Sequence, residues 1–227
     1  MKKVLIALLL ISFVILGLTE SLLPDYYEKQ VEMGFRRQVE QLENLHVEIS
    51  AHPAFLLLFG KVQKGLIQAQ GIGLEGLRIQ EAEARYQDLA ISSTPKGVRV
   101  AAGTNTYFRA VFLEKDLNEY LSTRYKNFDR LKLDLTPEGV ILSLGVILFN
   151  TTIQLQLSGN FTIPNNHTIR FVLEELDIAK VSIPLSLLSR LLEEIEFDLE
   201  LEQFPLPLDL QKVGLENDRL IVLGGTG

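Results

Sequence analysis

Residues 128–181, FDRLKLDLTPEGVILSLGVILFNTTIQLQLSGNFTIPNNHTIRFVLEELDIAKV, decide the fold. Leu131, Leu133 and Leu135 alternate with polar residues, which is the side-chain period of a strand whose two faces meet different surroundings. Thr136-Pro137-Glu138-Gly139 and Pro164-Asn165-Asn166 break the pattern with residues that supply turn dihedrals. Strands over 128–135, 139–148, 151–163 and 167–181, joined this tightly, must pair antiparallel.

The same reading extends outward. Further strands are predicted over 61–71, 77–91, 97–112, 208–215 and 219–224, the last two closed into a hairpin by Glu216-Asn217-Asp218. Two helices interrupt them. One spans 114–125 with Leu117, Leu121 and Tyr125 on one stripe, and the other spans 184–195, opening at Pro184, with Leu185, Leu188, Leu192 and Ile195. Upstream, Tyr27, Val31, Phe35, Val39 and Leu42 are spaced by four, four, four and three, which predicts an amphipathic helix over 25–44 with Pro24 near its start. From His46 the period falls towards two. The run from Pro53 to Gly60 is apolar all round, so it is either a fully buried strand or a helical turn tucked under the sheet. Phe204-Pro205-Leu206-Pro207 is the nearest thing to a spacer and is too short to separate domains. The expectation is one α+β domain over 24–227, a large curved antiparallel sheet packed on amphipathic helices.

The start of the chain is of another kind. Met1-Lys2-Lys3 precedes an unbroken apolar run from Val4 to Leu18, the pattern of an export signal, so residues 1–23 are read as a signal peptide or an uncleaved membrane anchor over residues 4–23. Positive charge stays inside, which puts the domain on the periplasmic or extracellular face of the cytoplasmic membrane. The chain has no cysteine, so neither disulfides nor thiolate metal sites exist, and an exported domain without disulfides points to a bacterial envelope.

Composition narrows the partners. At 47% hydrophobic and 22% charged residues the chain has the make-up of a packed globular domain. The net charge is −7, and without residues 1–19 it is −9, from 20 basic against 29 acidic residues. No basic cluster is present, so nucleic acid is not the expected partner, and contact with lipid should rest on apolar surface.

The chemical motifs lead nowhere catalytic. Gly71-Ile72-Gly73-Leu74-Glu75-Gly76 spells G-x-G-x-x-G, but strand alternation follows it and Lys96 stands where an acidic residue belongs, so the glycines are read as a strand-to-strand corner. His46, His52 and His167 share no metal-ligand spacing. Ser186 and Ser189 lack a G-x-S-x-G setting. The acidic run around Glu193, Glu194 and Glu196 alternates with Ile195, Phe197, Leu199 and Leu201, which reads as one buried and one solvated face. The sequons at Asn150, Asn160 and Asn166 are attributed to chance in a threonine-rich strand region. No enzyme, cofactor or metal is expected.

An apolar excess remains, in 53–59, 140–149 and 183–192, which is either plain core or the lining of an apolar groove. The order of the pieces resembles the bacterial LmeA-type phospholipid-binding family, a distant relation of the tubular lipid-binding (TULIP) fold. The likeness runs over residues 22–224. It rests on Leu22-Leu23-Pro24 before the helix, Val47 to Gly60, Gly76-Leu77-x-Ile79, Asp116-Leu117-Asn118, Leu206-Pro207-Leu208-x-Leu210 with Val213, and Leu220-x-Val222-x-Gly224. Leu113 departs from the family's usual Ser or Thr cap before the middle helix. The resemblance implies a non-catalytic envelope protein that binds phospholipid or a related amphiphile such as a polyprenyl-type lipid. The expected groove is lined by Val31, Phe35, Val39 and Leu42, by Phe112, Leu117 and Leu121, and by Phe55, Phe59, Leu188 and Leu192. The rival class is a membrane-anchored assembly module whose apolar patches or sheet edges contact another envelope protein.

Overall fold

The computed structural model describes residues 2–94, 97–100, 104–126, 128–148, 151–178, 197–206 and 208–225. Helix α1 (Lys2–Arg36) leads to β1 (Asn44–Ser50), a 3-10 turn (Ala54–Phe59), β2 (Lys61–Leu74), β3 (Leu77–Thr94), β4 (Gly97–Val100), β5 (Thr104–Leu113) and α2 (Glu114–Arg124). A second run follows: β6 (Asp129–Thr136), β7 (Gly139–Leu148), β8 (Thr151–Asn165), β9 (Thr168–Ile178) and β10 (Asp198–Glu200). The chain closes with β11 (Leu210–Glu216) and β12 (Arg219–Gly224).

The α+β expectation holds, but one large sheet becomes two. A curled sheet orders its strands β1-β2-β3-β5-β12-β11, with β4 on β3, and a five-stranded sheet orders β10-β9-β8-β7-β6. All the pairings are antiparallel. The division has a local cause. β5 runs into α2, which carries the chain off the first sheet, and the hairpins β6 to β9 then build a meander of their own; the last hairpin returns to pair β12 with β5.

The first helix is displaced relative to the periodicity. It begins well upstream, takes Pro24 into its interior and stops at Arg36, not at 44. Proline inside a helix removes the bond to the carbonyl four residues back, a loss the surrounding turns bridge here. Beyond Arg36 the backbone has other partners: the Glu40 N–H donates to the Gly73 carbonyl, the Gly73 N–H to the Gln41 carbonyl and the Glu43 N–H to the Gln70 carbonyl. Val39 and Leu42 therefore sit on a half-buried strap beside β2 and not on the helix. Among the residues whose side chains are described, no helix is long and apolar enough to cross a membrane.

Helix α2 starts at Glu114 without a side-chain cap on Leu113; the Glu114 N–H donates to the Asp218 carbonyl instead. Its polar side chains then complete the edge of the second sheet. Asn118 donates to the Leu133 carbonyl and accepts from the Leu133 N–H, both at 2.7 Å, and Glu114 accepts from the Leu135 N–H at 2.7 Å. Helix α1 does the same for the first sheet, where Glu28 accepts from the Ile49 N–H of β1 at 2.9 Å, and it also holds the 3-10 turn, where Glu20 accepts from the Ala54 N–H at 2.8 Å.

Candidate functional site

The inner face of the first sheet is set by register. Residues directly opposite on neighbouring strands share a face, so Leu45, Ala69, Ala82, Ala110, Val222 and Val213 form one row across six strands. Val47, Ile67, Ala84, Phe108, Gly224 and Leu210 form the next, and Ile49, Gly65 and Tyr86 a third. The middle of this face is built from alanines, all buried. Small side chains let covering elements approach closely or leave apolar volume beneath them.

What covers the face is an aromatic relay. Phe35, on α1, lies edge-on to Phe204 with ring centroids 5.9 Å apart, and Phe204 lies edge-on to Phe108 at 5.6 Å. Phe204 and Leu206 are both buried. The segment read as a spacer is thus a plug, and the clue available in the sequence was the alternation of Phe204 and Leu206 with prolines, an extended segment with one apolar face.

At the third row the covering ends. A groove of about 690 Å³ lies at this end of the sheet, lined by Glu28, Ile49, Lys64, Arg85, Tyr86 and Tyr107 among others; Ile49 and Tyr86 belong to the inner face, whereas Arg85 and its cross-strand partner Tyr107, one residue out of step, stand on the outer face. Its character is amphiphilic. The Arg85 guanidinium lies 5.6 Å from the centroid of the Tyr107 ring and 2.7 Å from Glu83, and burial pushes the Tyr86 phenol well above its ordinary pKa. Gly65 sits in this row, and a Cβ there would make ordinary contact with Tyr86 at 3.8 Å. Neither Arg85 nor Tyr107 was a sequence candidate, since only cross-strand register brings them together.

The predicted groove residues are distributed over separate places. Val31 and Phe35 are buried under α1, with Val39 and Leu42 on the adjoining strap. Phe112, Leu117 and Leu121 are buried too, but α2 packs on β3, β5 and β6, whereas α1 packs on β1, β4 and the 3-10 turn. The two helical stripes occupy different flanks of the core and do not face each other across one groove. Phe55 and Phe59 belong to the 3-10 turn, which resolves the apolar-all-round run as helical, yet Phe59 is 73% exposed and not tucked under the sheet. Leu188 and Leu192, with the predicted helix over 184–195, lie outside the described residues.

Two observations bear on chemistry. Gly71 to Gly76 form the end of β2 and the turn into β3, with Glu75 and Gly76 both at positive φ, a strand-to-strand corner. Among the described residues no three His, Asp or Glu side chains gather as a metal site. Among the described residues, burial raises the Asp116 carboxyl above its ordinary pKa, and its Oδ2 lacks a hydrogen-bond partner.

A family model described as LmeA-like phospholipid-binding matches residues 18–225, nearly the whole domain, and begins where the apolar amino-terminal run ends. No curated protein matches the chain, and no solved structure does.

Proposed function

Because the chain belongs to the LmeA-like phospholipid-binding family, we propose that it is a non-catalytic carrier or sensor that holds a phospholipid or polyprenyl-type lipid against the alanine-lined inner face of the first sheet, in the manner of TULIP-like modules. The acyl chain lies beneath α1 and Phe204, and the polar end sits at the open end of that face, beside Tyr86. The observation that carries this reading is the small-residue interior lying beneath separate covering elements, since a ligand site is a mostly apolar concavity. The domain is exported and works on the outer face of the cytoplasmic membrane. Its test is native mass spectrometry of the full chain purified from cells. A bound lipid is expected, one per chain. Protein that carries none and takes none from phospholipid vesicles leaves the assembly-module reading in its place.

A further inference from the structure

The 3-10 turn between β1 and β2 presents Leu58 at 60% and Phe59 at 73% exposure, with Phe55 also exposed. Such surface is costly in water unless something covers it. The turn is not a loose loop: Gly60 closes it in the left-handed region, donating to the Leu57 carbonyl at 2.9 Å, and Glu20 of α1 holds the Ala54 N–H. That bond also brings the turn to the level of α1 that carries Leu22 and Tyr26, 61% and 57% exposed, which project from the other side of the helix.

We propose that this rim, Phe55, Leu58 and Phe59 with Leu22 and Tyr26, is the surface by which the domain docks on a phospholipid bilayer, seated at the boundary between headgroups and acyl chains. Three features favour a bilayer over a protein partner or a second copy. α1 is unbroken from Lys2 to Arg36, so Leu22 lies only about 6 Å along the helix beyond Leu18, the end of the apolar run. The acidic net charge gives no electrostatic attraction to anionic lipid, so docking must rest on apolar side chains such as these. A member of a phospholipid-binding family must also meet a lipid phase to load, and the groove at Gly65 opens about 13 Å along β2 from Lys61, next to the rim. The inference concerns a surface distinct from the groove, so a groove that holds no lipid would leave its test intact.

The protein has no tryptophan, so a single introduced indole reports its own surroundings. The full chain carrying Phe59→Trp is reconstituted in phosphatidylcholine–phosphatidylglycerol vesicles containing lipids brominated near the headgroup end of the acyl chain. Asn217→Trp is the control, in the exposed β11–β12 turn roughly 35 Å away along the strands. Strong quenching of Phe59→Trp with none of Asn217→Trp is expected, and Leu58→Trp reports the same should the first variant fail to fold. No quenching at either rim position, equal quenching at rim and control, or rim indoles shielded by chain–chain association in detergent overturns the proposal.

Discussion

The two sheets fill their interiors in opposite ways. The five-stranded sheet packs large side chains in register: Leu133 opposite Leu142 opposite Leu157, with Phe171 stacked on Phe197 at 5.4 Å and Gly159 left bare because a Cβ there would run into the Val172 carbonyl and the Phe171 ring. The seven-stranded sheet puts Ala69, Ala82, Ala84 and Ala110 at the corresponding central positions and brings its bulk from outside, through Phe35 and Phe204. Both are buried, yet only one fills itself. The second sheet packs on its own side chains, and the first depends on elements laid over it.

The sharpest way to break that comparison is Phe171→Ala, which empties the centre of the self-filled sheet and should cost about 3–5 kcal/mol in a urea titration. A loss under about 1 kcal/mol would mean the second sheet has slack of its own. Leu121→Ala on α2 should behave alike, with a cost of about 2–5 kcal/mol and lipid content unchanged per folded molecule. Next comes Asn118→Ala, which strips both polar partners from Leu133 at the sheet edge and should cost about 1–3 kcal/mol.

On the first sheet the direction reverses. Ala84→Leu should displace bound lipid, read as lost occupancy in native mass spectra, while lowering stability by less than the ~1–3 kcal/mol that overpacking a filled core costs. A full overpacking cost with lipid retained would make this face ordinary core. The smallest effect is expected at Arg170–Asp198, a bidentate pair at 2.8 Å that ties β9 to β10. The hydrogen bonds from Arg170 hold the Asp198 carboxyl below the usual carboxylate value. A depressed pKa adds stability that is present above the unfolded value and lost as pH falls through the folded one. Asp198→Asn should therefore melt slightly below the parent at pH 7, with the gap closing on acidification below the carboxylate range.

The strand pattern was legible because turn chemistry and period agree: all three turns named from the sequence join the strands expected of them, and α2 spans 114–124 against an expected 114–125. Two kinds of feature were not legible. Where a segment meets a competing partner, as at Glu40 to Glu43, hydrogen bonding to β2 overrides a helical stripe that Val39 and Leu42 continue. Where a site is made by register, as with Arg85 and Tyr107, the residues are about 20 positions apart and no spacing announces them. Alanine on a strand also carries little signal, although Ala82 and Ala84 already stand two apart on one face.

The helix carboxylates and amide that take the Ile49 N–H of β1 and the Leu133 and Leu135 N–H groups of β6 have a consequence for life at high density. An outer strand with free backbone groups is a template on which another chain can add. Of the described outer strands, β1 has its Ile49 N–H taken by Glu28, β6 is occupied by Asn118 and Glu114, β4 and β10 are four and three residues long, and β11 lies against β6 and β8. Edges that are short, covered or bonded to a helix side chain leave another copy of the chain few backbone groups on which to add.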